Sequence, residues 1–114
     1  MQHQTVILVN SLDLCRYFYR EHLKLGEPVC DSSDVAVFQL DENSSLVLEA
    51  CQAKYLEHAS SAVSWSIGVK DFDGISADLE EHGFTVGGEF IRFGRRSRRV
   101  HDPESNCFYI TEES

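Results

Sequence analysis

One pattern occurs twice in this sequence, about sixty residues apart, and that duplication limits the available folds more than any other feature. The later copy ends in the segment Arg95 to Glu112, which reads as strand, tight turn, strand. Asp102-Pro103 opens the turn, because proline presets φ and aspartate can bond its own downstream backbone. Beyond Asn106 the residues alternate, with Phe108 and Ile110 facing one way and Cys107, Tyr109 and Thr111 the other. The earlier copy runs from Phe38 to Glu49, again strand, acidic polar turn, strand.

The rest of each copy follows in the same order. Thr5 to Val9 is a β-branched run and predicts a strand, and Asn10-Ser11 offers a helix N-cap. Leu14, Tyr17, Phe18 and His22 fall at helical spacing, which predicts a helix from Leu12 to Leu23 burying that stripe. Gly26 and Pro28 stop it, and strands are expected at Pro28–Cys30, Asp34–Leu40 and Ser45–Glu49. In the second half, Ser64 to Val69 alternates strictly, Asp71 caps a helix with Phe72, Ile75 and Leu79 on one face, and Gly83 ends it. Strands follow at Phe84–Val86, Glu89–Phe93, Arg95–His101 and Cys107–Thr111. Aligning Ser11 on Asp71 superposes both strand–helix units. The fold class is α+β: two βαβββ modules, 4–50 and 63–112, joined by a linker at 51–62 within a single domain spanning 1–114.

Composition narrows the partners. With 42% apolar residues the chain has material for a packed core. Nineteen acidic against ten basic residues give a formal charge of −9, which argues against nucleic acid and anionic membrane as partners. The N-terminal residues have no basic start and only a short apolar run, so neither a signal peptide nor a membrane span is expected. Cys15, Cys30, Cys51 and Cys107 are scattered without a C-x-x-C pair and read as reduced thiols, which places the chain in the cytoplasm.

The Phe18-Tyr19 helix with Leu23-Lys-Leu25 after it, the strand exit Val69-Lys-Asp71 and the turn Asp102-Pro-Glu-Ser-Asn106 together resemble the vicinal-oxygen-chelate superfamily. That superfamily contains glyoxalase I, extradiol dioxygenases and the fosfomycin- and bleomycin-resistance proteins. The resemblance covers nearly the whole chain. Two departures stand out: Lys24 occupies a usual glycine position, and Glu104-Ser105 replaces the usual Asp-Gly. The resemblance implies modules that curve into an open half-barrel around a cleft, a homodimer, and metal ligands at positions matching Gln4, Glu49, Ser64 and Tyr109. Serine and tyrosine are poor ligands for a divalent ion, so no metal and no other cofactor is expected.

Without a Lewis acid, the resemblance favours a non-enzymatic protein of the bleomycin-resistance-like type that sequesters a small organic molecule. Its cleft would be walled by Val6, Leu8, Val47, Glu49, Ser64, Ser66, Gly68, Cys107, Tyr109 and Thr111. Small residues leave volume, Tyr109 offers an aromatic face, and Glu49 makes a cation one candidate ligand. Arg92, Arg95, Arg96, Arg98 and Arg99 form the one basic cluster. Alternation puts Arg96 and Arg98 on one face and Arg95, Arg99 and His101 on the other, without saying which face lines the cleft. The candidate ligand-binding residues are Glu49, Ser64, Ser66, Tyr109, Arg99 and His101. Cys107 has no base nearby in sequence and reads as an inert buried thiol. The alternative is a glyoxalase- or dioxygenase-like lyase or isomerase with a non-standard active site, in which Glu49 or His101 would serve as base.

Overall fold

In the computed structural model, which describes residues 2–51 and 65–113, the repeat becomes two units, Met1–Ser60 and Ser61–Ser114. The first unit holds β1 (His3–Val9), α1 (Leu12–Tyr17), a π-helical turn (Phe18–His22), β2 (Cys30–Asp31), β3 (Val35–Asp41) and β4 (Ser44–Ala50). The second holds β5 (Ser66–Val69), α2 (Phe72–Glu81), β6 (Phe90–Arg92), β7 (Arg95–His101) and β8 (Cys107–Glu112). The sheet orders are β1-β4-β3-β2 and β5-β8-β7-β6. In each, the first strand pairs parallel with the last and the other pairings are antiparallel. Both units therefore have the expected βαβββ order. The expected strand Phe84–Val86 shrinks to one bridge, Val86 to Val100. The linker lies outside the described residues apart from Cys51. Among the described residues no helix is long and apolar enough to cross a membrane.

Strand alternation puts the core on one face of each sheet. In the first unit Ile7, Val9, Ala36, Phe38, Leu46 and Leu48 are buried, and α1 packs on β3 and β4. The helical stripe differs from the expected one. Leu12, Cys15, Phe18, Tyr19 and His22 are buried, whereas Leu14 and Tyr17 are each 52% exposed. Regular helix ends at Tyr17 and a wider π-turn follows, so one spacing cannot be carried through the segment. Ser11 holds the N-cap position in an extended conformation, without a side-chain cap bond.

In the second unit Ile67, Val69, Val100, Phe108 and Ile110 face Phe72, Ile75 and Leu79 of α2. Trp65 stacks on Phe108 at 4.4 Å and 8°, which places it on the helix-covered face. Asp71 caps α2 by accepting from the Gly74 amide at 3.1 Å. Gly83, at φ +79°, closes the helix: its amide donates to the Glu80 carbonyl, and the Phe84 amide donates to that of Leu79.

Two arginines of β7 hold α2 to the sheet. Arg96 donates to Asp73 at 3.0 and 3.1 Å and to Glu112 at 2.6 Å, with its guanidinium 4.9 Å from the centre of the Phe72 ring. Arg98 pairs with Glu80 at 2.5 Å and donates to the Gly87 carbonyl. Hydrogen bonding from Arg96 holds the Asp73 and Glu112 carboxyls below their ordinary values.

The turn Asp102–Asn106 closes β7 onto β8. Asp102 is 4% exposed. Its carboxylate accepts from the backbone amides of Glu104 and Asn106 and from Asn106 Nδ2, each at 2.9 Å. Ser105, at φ +65°, and Lys24, at φ +60°, occupy left-handed backbone. These are the two positions where the sequence departs from the superfamily's glycines.

Two outcomes are expected from this packing. Ser105→Gly and Lys24→Gly should each raise stability by roughly 0.5–1 kcal/mol, because left-handed backbone costs an L-residue about 1–2 kcal/mol, partly offset by glycine's added freedom when unfolded. Urea denaturation checks this. The Arg96 pairs set an acid dependence: with folded pKa values below the unfolded ones, their stabilisation is present above the ordinary carboxylate range. It is lost as pH falls through the lowered values. The drop in urea midpoint between pH 7 and pH 3 should therefore be smaller in Arg96→Gln than in the native chain.

Candidate functional site

With Arg96 and Arg98 committed to α2, the opposite face of the second sheet is the one free for chemistry. Register fixes its membership. Ser66 pairs with Tyr109 and Gly68 with Thr111. Across β7 and β8, Ser97 pairs with Thr111, Arg99 with Tyr109 and His101 with Cys107. Phe90 and Arg92 join the same face through Ser97 and Arg95.

An open groove with a cavity volume of ≈ 350 Å³ runs along this face, lined by Ser66, Gly68, Arg92, Phe93, Arg95 and Thr111. The small residues of β5 leave it bare. A Cβ built on Gly68 would meet nothing closer than the Glu113 side chain at 4.0 Å. Beside the groove the Arg92 guanidinium lies 4.5 Å from the centre of the Tyr109 ring, and Phe90 meets that ring edge-on at 5.9 Å. Among the described residues no carboxylate pairs with Arg92. Ser97 is fully buried, and its hydroxyl lies 3.2 Å from that of Thr111.

The groove's rim is a strained turn. Phe93 and Gly94 form a two-residue connection between β6 and β7, with φ of +51° and +77°. Such a turn favours Asn-Gly, yet its first position here is a phenylalanine that is 91% exposed. This exposed apolar side chain is held in left-handed backbone, with the Arg92 guanidinium 5.3 Å from the centre of its ring.

The candidate residues separate as follows. Ser66 lines the groove and Tyr109 lies next to it under Arg92. Arg99 faces the same way and donates through Nε to Cys107 Sγ at 2.6 Å, a contact that raises the guanidinium above its ordinary pKa. His101 sits across from Cys107, and its Nδ1 is buried without a hydrogen-bond partner among the described residues. Glu49 lies in the first unit, exposed on β4 opposite Leu8, so water solvates it and burial demands no counter-ion. Ser64 lies outside the described residues. Cys107 departs from its expected state: it is half-buried and in contact with Arg99. Sequence distance hid those neighbours, because β7 and β8 are brought together only by the hairpin. The arginine cluster already marks Arg92 and Arg95. Nothing in the sequence marks Phe90, and Phe93-Gly94 gives only a turn signal.

The positions that a metal would occupy in the superfamily do not fit one here. Gln4 pairs in register with Ser45, and Glu49 lies four residues farther along β4, roughly 13 Å away at 3.3 Å per residue. Two side chains so offset cannot share an ion. Tyr109, in the second unit, stands opposite Ser66, which adds only a hydroxyl.

Comparison with known proteins gives a fold. No family model matches this sequence, and no curated protein matches it. Among solved structures, TnmS3, an antibiotic binding protein from Streptomyces sp. CB03234, superposes with a TM-score of 0.76 at 19% identity, covering 100% of this chain and 96% of the other. A glyoxalase / bleomycin resistance protein from Catenulispora acidiphila DSM 44928 gives 0.73 at 22% identity, covering 100% and 99%. Lactoylglutathione lyase from Agrobacterium tumefaciens gives 0.72 at 18% identity, covering 98% and 92%. An antibiotic binding protein, a glyoxalase / bleomycin resistance protein and a lyase thus share one architecture, and this chain has that glyoxalase/bleomycin-resistance-like fold.

Proposed function

We propose that the protein binds a small organic molecule on the open face of its second sheet and sequesters it without turnover. The observation that carries this reading is the ≈ 350 Å³ groove between the bare β5 residues and the arginine-lined hairpin. The lining is mainly polar, Ser66, Arg92, Arg95 and Thr111 with Phe93 as its apolar side chain, which suits a ligand fixed by polar contacts along one apolar edge. The likeness to an antibiotic binding protein supports the same reading at the level of fold.

Charge narrows the ligand class. A cation could use the Tyr109 ring, but Arg92 already lies over it. Arg92 and Arg95 both line the groove, and their guanidinium forks match a carboxylate. We therefore favour a planar molecule carrying an anionic or carbonyl group. It would slide along Ser66 and Gly68 with its polar end at Arg92 and its apolar edge against Phe93.

Calorimetric titration with aromatic carboxylates such as 1-naphthoate, and with benzyltrimethylammonium as the cationic counterpart, tests this. Carboxylate binding is expected, and Arg92→Gln should weaken it by roughly 1–3 kcal/mol, the usual worth of a charge-assisted hydrogen bond. Ser66→Leu should abolish it by filling the groove while the circular dichroism stays native. Binding only of the cation, lost in Glu49→Gln, would move the site to the first unit. Chemical conversion of a bound probe would replace sequestration by enzymatic activity.

A further inference from the structure

We propose that Tyr109 and Phe93 are positioning residues: their rings hold the Arg92 guanidinium at the wall of the groove, where it separates an anionic ligand from a neutral one of the same shape. The guanidinium lies 4.5 Å from the centre of the Tyr109 ring and 5.3 Å from that of the Phe93 ring. Phe90 meets the Tyr109 ring at 5.9 Å and 77°, an edge-to-face contact that fixes this ring in turn. Among the described residues no carboxylate pairs with Arg92. The rings therefore set its place while its charge stays available.

Sheet order makes this contact a demanding one. Arg92 on β6 and Tyr109 on β8 are separated by β7, about 10 Å across the sheet at roughly 4.8 Å per strand. Long side chains can meet over that distance when the strand between presents a small residue. Ser97 of β7 does so: it pairs with Phe90 on one side and Thr111 on the other, and it is fully buried.

Phe93 adds its ring at the expense of its own backbone. At φ +51° it occupies left-handed space that asparagine accepts more readily. Its side chain is 91% exposed, so core packing does not offset the strain. What its ring meets is the guanidinium of its neighbour. An arginine held in this way loses less freedom on meeting an anion, and that gain goes to the charged ligand alone.

Because this role rests on the groove being the binding site, one arm of the test needs no ligand. In the free protein, ring currents of Tyr109 and Phe93 should move the Arg92 δ-methylene protons upfield of their unstructured positions. Tyr109→Leu should remove most of that shift, and Tyr109→Phe, which keeps the ring, should retain it. The second arm compares 1-naphthoate with its neutral counterpart 1-naphthamide by calorimetric titration. The native chain should prefer the carboxylate, and Tyr109→Leu should cut the ratio of the two affinities roughly tenfold, within the worth of a partly desolvated cation–π contact. Tyr109→Phe should keep the ratio. Phe93→Asn should lower the ratio and raise the urea midpoint, a pairing that a merely structural role would not give, and it serves in place of Tyr109→Leu if that variant unfolds. Arg92 protons at unstructured positions in the native chain, or a ratio that Tyr109→Leu and Phe93→Asn leave unchanged, would overturn the proposal. Upfield Arg92 protons with neither naphthalene bound would support the clamp and overturn the groove as the binding site.

Discussion

The buried carboxylate of Asp102 is the interaction on which the open face of the second sheet depends. It takes three donors from a five-residue turn, and a carboxylate this buried is tolerable only when so paired. That arrangement fixes where β7 ends and β8 begins, and so which residue stands opposite which. A slip of one residue would turn every side chain of one strand to the other face. Arg99 would then face α2, and Arg96 would lose Asp73 and Glu112. The turn therefore sets both the packing of α2 and the composition of the opposite face.

The four arginines of β7 show how one strand can serve two purposes. Arg96 and Arg98 meet acidic partners on or beside α2, where they secure a helix whose own buried face is short. Arg95 and Arg99 point the other way, Arg95 to the groove and Arg99 to sulfur, where Arg92 of β6 joins them on an aromatic ring. The dense basic stretch in an acidic chain is thus two sets interleaved at period two. Half of it is explained by packing, and the remainder is what a ligand would encounter.

Much of this fold was legible in the sequence because both modules follow strong local rules. The alternation at Trp65–Val69 and Cys107–Thr111, the Asp71 cap and Gly83 all lead to the structure found. The stripe in the first helix was less legible, since the π-turn at Phe18–His22 breaks the period from which a buried face is read. The site was only partly legible. Ser66, Tyr109, Arg99 and His101 could be placed on faces by counting, but no count reveals that Arg99 reaches Cys107 or that Arg92 covers Tyr109. Those contacts depend on register across a hairpin and on side-chain reach. The strain at Phe93 is likewise invisible until its φ is known.

On the proposed reading, a ligand is expected on the open face of the second sheet rather than on the face holding α2. Amide chemical-shift mapping during titration with 1-naphthoate tests it most directly. The largest shifts are expected on Ser66, Gly68, Arg92, Phe93, Tyr109 and Thr111. Shifts concentrated on Asp73, Glu80 and Arg96, around α2, with the β5 and β8 amides unmoved, would contradict it.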